Sequence, residues 1–534
     1  MDNGQYDYVI VGAGSAGCVL AARLSEDRDR TVCLLEAGNP DKSMLIHAPS
    51  GFAVTIPRPL MNWAFETVPQ PGLNGRCGYQ PRGKVLGGSS SVNAMIYIRG
   101  QASDYDGWAK LGNPGWSFSD VLPYFKKSQN QERGGDELHG VGGPLNVTDV
   151  LEPNPLATSF VEAAVTAQYP RNGDFNGARQ EGVGFYQVTQ KNGERMSAAK
   201  AYLTPVLDRP NLTVITGAQA GKITFDGKRA SGVTYQQDGK DQTVSASREV
   251  ILSGGAFQSP QLLLLSGVGP AAELAAHGIP VVHDLPGVGK NLQDHIDYVG
   301  VYKVKTRLAL GISFGGAIDV IKAIFAWRRH RTGALTSNLA QSGGFIKSDP
   351  SLDAPDLQLH FVTGGVDNHG RSISLGHSFS CHICVLRPKS IGQVTLASAD
   401  PSAAPLIDPN FLDHPSDLEL LIKGFKLMRQ IIEAPAMAEY GGVDLHAGGL
   451  TTDEEIGDEI RRRADTVYHP VGTCKMGPDS DPEAVVDSEL RVRGMDGLRV
   501  VDASIMPNLV SGNTNAPTIL IGEKASDMIL SAGA

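Results

Sequence analysis

Three glycines near the start of the chain have the spacing of a phosphate-binding turn. Gly12, Gly14 and Gly17 follow a short apolar run and precede a helical pattern, and Glu36 ends a second apolar run 19 residues after the third glycine. In a strand–turn–helix unit the glycines allow the turn, the approach of a pyrophosphate and close packing of the helix on the strand, while the acid accepts hydrogen bonds from ribose hydroxyls. The motif predicts a dinucleotide site and leaves FAD and NAD equally open.

A second glycine-rich stretch, residues 83–95, could also bind a ligand. Two adjacent glycines and three serines at 87–91 offer many backbone N–H groups, which suits the close approach of an anionic or polar planar group. Apolar residues on both sides, among them Leu86 and Val92, favour a buried loop over a flexible surface loop.

The composition is that of an ordinary globular protein of two or more domains. Of 534 residues, 41% are hydrophobic and 19% charged, and the net charge of −10 argues against nucleic-acid binding. Six cysteines are few for this length and predict reduced thiols. An apolar strand begins within ten residues of Met1 and no apolar run approaches 18 residues, so we expect no signal peptide or membrane span and a cytoplasmic protein.

The elements that would position a ligand follow from apolar periodicity. A strand pattern at 248–252 enters two further glycines and a helix, which predicts a second strand–glycine–helix unit. Alternating segments between 212 and 235 predict an antiparallel meander. From about residue 308 to 453 the alternation predicts a mostly antiparallel sheet, including a hairpin-like pair of 380–386 with 394–396.

Three further features could be functional, and for each the plainer interpretation is favoured. Residues 318–329 form an amphipathic helix ending in cations, either a membrane-surface or quinone-access element or a helix packed on its own domain. Asp294 and His295 could form a catalytic pair, but neighbours on a strand point to opposite faces. Cys381 and Cys384 have CxxC spacing without a second pair, so no metal site is predicted.

Residues 83–93, together with 255–269, resemble the two signatures of the glucose–methanol–choline (GMC) oxidoreductase family, flavoproteins that oxidise alcohols. The resemblance covers essentially the whole chain and is strongest to choline-dehydrogenase-like bacterial alcohol dehydrogenases. It implies an α/β (α+β overall) fold. A Rossmann-type FAD-binding domain with a β-meander would comprise residues 1–155, 206–307 and 454–534. A substrate-binding domain, with a mostly antiparallel sheet flanked by helices, would comprise 156–205 and 308–453.

The resemblance also implies the residues of the active site. A histidine before a proline is more often structural, but His469 matches the family's active-site histidine, the general base, and Asn513 matches its hydrogen-bonding partner; Asn515 is a near alternative. Ala220 would flank the adenine and Asp502 would lie near the ribityl or phosphate groups. The expected FAD contacts are Gly12, Gly14, Ser15, Ala16, Gly17, Glu36, Ala37, Gly83, Leu86, Gly87, Gly88, Ser89, Ser90, Asn93, Ala94, Met95, Ala220, Asp502, Ala503, Asn513 and Thr514.

The implied function is oxidation of primary alcohols to aldehydes, with hydride transfer to flavin N5 and electrons passed to a quinone or another non-NAD acceptor. Peripheral contact with the inner face of a membrane would accompany a quinone. Val92 stands where some family members carry the histidine that attaches FAD covalently, so we expect non-covalent FAD. A histidine base predicts activity falling below about pH 6–7. The alternatives are an O2-using oxidase, an FAD-containing lyase and, from the glycine motif alone, an NAD-dependent dehydrogenase, which would leave residues 83–93 without a role.

Overall fold

Two large β-sheets organise the residues that the computed structural model describes, 4–372 and 375–532. In the first sheet, the strand Gln5–Val11 lies between Val32–Glu36 and Lys240–Leu252, and all three are parallel. The end of the first strand is buried on both faces, which explains its continuous apolar run. The first-sheet strands are Gln5–Val11, Val32–Glu36, Leu212–Thr216, Gln219–Asp226, Arg229–Gln237, Lys240–Leu252 and Leu498–Val500.

The second sheet is antiparallel at every pairing among the described residues. Along Leu357–Val362, Leu359 and Phe361 join a core with the helices Pro155–Thr166 and Pro415–Ile432, while His360 points to the other face. The strands are Gly182–Phe185, Ile296–Val304, Gly311–Ile312, Ser342–Ile346, Leu357–Val362, Gly376–Val385, Val443–Asp444 and Asp465–Thr466. The α/β fold and both kinds of sheet are as predicted.

Helices and short strand pairs complete the described part of the chain. The α-helices are Ser15–Leu24, Met44–His47, Phe52–Thr55, Ala102–Lys110, Phe118–Ser128, Pro155–Thr166, Gly255–Leu265, Ala271–Ala276, Phe314–His330, Pro415–Ile432, Pro435–Ala438, Asp453–Arg463 and Asn515–Ala532. The short pairs are Phe65–Glu66 with Tyr79–Gln80, Gln129–Gln131 with Leu145–Val147, Gln190–Lys191 with Glu194–Arg195, Val268–Gly269 with His283–Asp284, and Gln393–Thr395 with Leu406–Asp408.

Two predicted details differ in the structure. Gln393–Thr395 pairs with Leu406–Asp408, so the predicted hairpin with 380–386 is wrong; both edges of Gly376–Val385 are already occupied by strands of the second sheet. Ile296–Val304, most of which the predicted division gives to the FAD-binding domain, pairs with strands of the second sheet. The division into two domains otherwise stays a prediction.

The helix predicted at 318–329 spans Phe314–His330. It is attached to its surroundings near its end, where buried Trp327 donates its indole N–H to the Gly193 carbonyl at 2.8 Å. Ile321 and Phe325 on another face are 55% and 71% exposed. Over the described residues, no helix is both long and apolar enough to cross a bilayer.

The glycine turn holds its helix against the first strand. Gly12 has a φ of +101°, which a glycine adopts without steric cost. A Cβ on Gly17 would lie 1.9 Å from the Gly12 carbonyl oxygen. The contact between helix and strand therefore depends on the missing side chain at Gly17.

Gly17→Ala should lower the free energy of unfolding by about 1–3 kcal/mol, since the added methyl forces the helix from the strand. Gly107→Ala is the matched control, because Gly107 is also helical and a Cβ there meets nothing within 4 Å; it should stabilise the protein by about 0.5–1 kcal/mol. Denaturant midpoints measure both effects. Equal effects of the two substitutions would contradict the packing argument.

Candidate active site

A cavity of about 1,020 Å³ is lined by residues of both sheets. At one end, the carboxyl ends of parallel first-sheet strands contribute Val11, Glu36 and Leu252. Ser15 and Gly255, which begin two helices, also line this end. Ligands of open parallel sheets bind beyond the carboxyl ends of the strands, and helix N-termini favour anions there.

Glu36 is held in place by two backbone N–H groups, one from the glycine turn and one from the residues after its own strand. Its Oε2 accepts from the Ala13 N–H at 2.9 Å and its Oε1 from the Gly38 N–H at 2.8 Å. Burial raises the pKa of Glu36 to about 7, and the two backbone donors oppose that rise. Each carboxylate oxygen keeps further acceptor capacity, which a pair of ribose hydroxyls could use.

The loop at 83–95 is largely buried, as predicted, and it packs against the glycine turn. Gly87 and Gly88 have φ values of +87° and +52°, and a Cβ on Gly88 would lie 2.8 Å from the Gly14 Cα. Ser90 donates its hydroxyl to the Gly87 carbonyl and accepts from the Ala198 N–H. These contacts hold the loop along the cavity.

Most of the sequence-predicted site residues meet at this cavity. Those that line it are Gly12, Gly14, Ser15, Ala16, Glu36, Ala37, Gly83, Gly88, Ser89, Asn93, Ala94, Met95, Ala220, His469, Asp502, Ala503, Asn513 and Thr514. Gly17, Leu86, Gly87 and Ser90 are buried without lining it. Gly17 instead supports the helix, and Ser90 holds the neighbouring loop in shape.

Both carboxylate oxygens of Asp502 accept hydrogen bonds from other groups of the protein. Its Oδ2 accepts from the Gly255 N–H at 2.8 Å and from the Ser259 hydroxyl at 2.6 Å, and its Oδ1 accepts from the Ser504 N–H at 2.8 Å. The carboxylate therefore fixes the start of the helix Gly255–Leu265 beside the cavity. Any contact with a ligand would be additional to that role.

The other end of the cavity holds the predicted catalytic pair. The Asn513 Nδ2 lies 3.0 Å from the His469 Nε2. Asn515, the alternative considered from sequence, instead accepts from the Ser15 hydroxyl at 2.7 Å. The structure therefore places Asn513, and not Asn515, beside the histidine.

A second histidine determines which His469 nitrogen carries the proton. The His295 Nε2 lies 3.1 Å from the Leu386 carbonyl oxygen, and its Nδ1 lies 2.9 Å from the His469 Nδ1. Because a carbonyl only accepts, a neutral His295 is protonated at Nε2 and accepts at Nδ1. A neutral His469 is then protonated at Nδ1, which leaves Nε2 as an acceptor toward Asn513.

The backbone around His469 is fixed by charged groups. The Asp294 Oδ1 accepts from the His469 N–H at 2.9 Å, and burial raises the pKa of Asp294 to about 6. Tyr468 has a φ of +76°, which is strained for a bulky residue. The Arg82 Nη2 donates to the Tyr468 carbonyl at 2.8 Å, and the Tyr468 hydroxyl is paired with His369 at 2.7 Å.

Burial keeps the imidazoles of this end neutral. Burial lowers the pKa of His469 well below 6.5, and neighbouring His295, His360 and Arg82 lower it further. The same cause lowers the pKa of His295 to about 4 and that of His360 to about 3. The sequence-based expectation of a transition at pH 6–7 is therefore too high.

Sequence reasoning missed several polar residues of this end. Gln358 donates to the Asn513 Oδ1 at 3.1 Å. His360 and His382 line the cavity from adjacent strands of the second sheet. The alternation at 357–361 was a usable signal, since it places Gln358 and His360 on the face opposite Leu359, but it did not tell which face meets a site.

No cluster of three or more His, Cys, Asp or Glu that could hold a metal occurs in the described ranges. Cys381 packs in the core of the second sheet and Cys384 stands opposite Gln358 on the other face. Two residues three apart on one strand thus point in opposite directions, as predicted.

The sequence matches the N-terminal model of the GMC oxidoreductase family over residues 6–297 and the C-terminal model over 388–522. It is 52% identical to an alcohol dehydrogenase (acceptor) of Pseudomonas putida over 98% of this chain and 96% of that protein. It is 45% identical to the mitochondrial choline dehydrogenase of Homo sapiens over 98% of this chain and 90% of that protein.

Solved structures agree with this match. A formate oxidase of Aspergillus oryzae RIB40, studied for modification of its FAD, superposes with a TM-score of 0.91 and 27% identity over 100% of this chain and 99% of that one. FAD is therefore the cofactor of this protein, and the chain belongs to the GMC oxidoreductase family.

Proposed function

We propose that this enzyme oxidises primary alcohols to aldehydes, with His469 as the general base. The observation that carries the proposal is the hydrogen-bonded line of Asn513, His469 and His295, which leaves an unprotonated Nε2 at the cavity. The names of the relatives, an alcohol dehydrogenase and choline dehydrogenases, support an alcohol as the substrate.

The residues at the other end of the cavity fit FAD. Gly14 offers a backbone without a side chain at the start of a helix, and a Cβ there would meet only the Ser253 carbonyl at 3.8 Å, so the space beside it is open to a pyrophosphate. Glu36 would bind the ribose, Ala220 would flank the adenine, and the loop around Asn93 would lie along the flavin. When bound, FAD supplies the hydride acceptor. Val92 carries no nucleophile, so this FAD is held non-covalently.

The side chains that face the substrate have complementary roles. An alcohol hydroxyl that reaches both side chains would replace the bond between His469 and Asn513, donating to the histidine Nε2 and accepting from the asparagine Nδ2. Neutral His469 takes the hydroxyl proton as the hydride leaves the α-carbon, and the amide stabilises the developing charge on oxygen. Gln358 fixes the amide in that orientation through its bond to the Asn513 Oδ1.

We also propose a quinone as the acceptor, reached at a membrane surface. On the helix Phe314–His330, Val320 lines the cavity while Ile321 and Phe325 are exposed. Lys322, Arg328 and Arg329 on the same helix are also exposed. An exposed apolar face with cations suits an anionic bilayer, and its position beside the cavity suits an apolar acceptor. The alternative, an oxidase using O2, would need no such face.

His469→Ala should slow flavin reduction by a primary alcohol roughly 10²–10⁴-fold, because it removes the proposed general base. The variant should keep its FAD, which denaturation then releases. Anaerobic stopped-flow measurement of flavin bleaching gives the rate. The control is His414→Ala, exposed at the start of the helix Pro415–Ile432 and outside the cavity lining, which should leave the rate unchanged. Full activity in His469→Ala would refute the general base.

The rate of flavin reduction should stay constant from pH 8 to 6.5 and decline only at lower pH. The pKa of His469 is lowered by burial, so its basic, neutral form persists below the usual value of 6.5. Flavin absorbance at each pH checks that the protein stays folded. A transition near pH 6 that disappears in Asp294→Asn would come from Asp294, whose pKa is about 6; one above 6.5 that survives this change would contradict the prediction.

The double variant Ile321→Ser with Phe325→Ser should lose binding to phosphatidylglycerol vesicles in a sedimentation assay, because it removes the exposed apolar contacts. The double variant Leu111→Ser with Val141→Ser, at positions 48% and 59% exposed elsewhere, should bind as the wild type does. Both should be reoxidised equally by a water-soluble quinone. The quinone proposal would be refuted if the wild-type protein did not bind the vesicles. It would also be refuted if air reoxidised the flavin as fast as the quinone does.

A further inference from the structure

A buried carboxyl group stands in the wall of the cavity and has no part in the proposed proton transfer. The Asp297 Oδ2 lies 2.6 Å from the His382 Nδ1. Its Oδ1 has no hydrogen-bond partner in the part of the chain that the structure describes. Burial raises the pKa of Asp297, and His382 opposes the rise. His382 therefore supplies the side-chain hydrogen bond on which this carboxylate depends.

The strand register places His382 beside Asp297 on one face of the second sheet. Val299 stands opposite His382, and Asp297 stands opposite Cys384 one step along the same face. His360 continues that face on the next strand. His382 and His360 line the cavity, whereas Asp297 does not. The imidazole thus covers the carboxylate.

In the described part of the chain, the second-sheet face around His382 offers the cavity neither a carboxylate nor a Phe, Tyr or Trp ring; the aromatic residues of the lining, among them Tyr468 and Trp63, come from other segments. Beside His382 the lining is made by Val301, Val362 and Ser378, two aliphatic residues and a hydroxyl. A quaternary ammonium is bound by aromatic faces or by a carboxylate. Removing such an ion from water without either partner is unfavourable.

The carboxylates that do line the cavity are engaged elsewhere. Asp367 accepts from the Arg463 guanidinium at 2.6 Å, and Glu66 lies 3.5 Å from Arg371. Glu36 and Asp502 accept from backbone N–H groups at the nucleotide end. Among the described lining residues, each carboxylate therefore already has a partner.

We propose that the His382–Asp297 pair makes the enzyme select neutral primary alcohols over alcohols that carry a quaternary ammonium. The proposal rests on alcohol oxidation as the proposed function and decides between the two substrate types that the relatives' names suggest. The imidazole satisfies and hides the carboxylate, so a cationic substrate meets a wall without an accessible negative charge. Specificity against cationic alcohols then comes from the lack of an accessible negative charge beside the substrate.

The test compares choline with 3,3-dimethylbutan-1-ol, its uncharged isostere. Both have the same shape, so the ratio of their kcat/KM values, choline over isostere, reports charge selection alone. The wild type should give a ratio at or below about 0.1, a tenfold preference for the neutral alcohol. A ratio above 1 would overturn the proposal.

Substitutions at the pair distinguish an Asp297 carboxylate that His382 covers from one that already binds cationic substrates. Asp297→Asn should leave the ratio within about twofold of wild type, whereas a carboxylate that already binds cations would lose choline selectively. His382→Ala should raise the ratio at least tenfold by uncovering Asp297, and adding Asp297→Asn should abolish that rise. Val301→Ala, which enlarges the same wall without uncovering a charge, should leave the ratio unchanged. If His382→Ala does not fold, a wild-type ratio above 1 or a selective loss of choline turnover in Asp297→Asn would still overturn the proposal.

Failure of the proposed function gives a different result. If neither alcohol bleached the flavin of the wild type, alcohol oxidation would be refuted. The ratio of dissociation constants for choline and the isostere, measured from the perturbation of the flavin absorbance, would still test the selection. Tighter binding of choline, or loss of choline binding in Asp297→Asn, would then overturn it.

Discussion

The chemistry of this site depends on a line of hydrogen bonds whose two ends are backbone carbonyls. Gln358 donates in both directions, to Asn513 and to the Tyr186 hydroxyl, which itself donates to the Leu359 carbonyl. From Asn513 the line continues through both histidines to the Leu386 carbonyl. Because a carbonyl cannot donate, the direction of every bond between is determined. The state of His469 is thus set by groups that never touch a substrate.

The lowered pKa that keeps His469 neutral also makes it a weaker base, and charged groups near it change that strength. A histidine whose pKa lies well below 6.5 is a weak base, and catalysis favours a pKa near the working pH. The buried carboxylate of Asp294 accepts from the His469 backbone N–H, and a negative charge there would favour the imidazolium that forms during proton transfer. The neighbouring Arg82 opposes it. The balance of these charges, together with burial, sets the strength of the base.

What could be predicted from sequence was the part encoded locally. The glycine turn, Glu36 and the burial of the 83–95 loop depend on neighbours in the chain. His469 and Asn513 emerged only through the family resemblance, since neither has a local signature. His295 was set aside on the rule that neighbouring strand residues face apart; its strand begins only at Ile296, so the rule does not apply. His360 and His382 were missed because their meeting depends on long-range pairing, which alternation does not encode.

The second sheet explains how one element can serve both stability and specificity. Its strands alternate between a core face, with Leu359 and Phe361, and an opposite face, on which His360 lines the cavity and Gln358 bonds to Asn513. Substitutions on the cavity face leave the packing of the helices intact, so the substrate wall can change without a loss of the core. The exception is a buried charge, since removing one partner of such a pair leaves the other uncompensated. Substitution of Asp297 or His382 would therefore affect the stability of the protein as well as its substrate preference. A substitution at one of them requires a compensating substitution at the other.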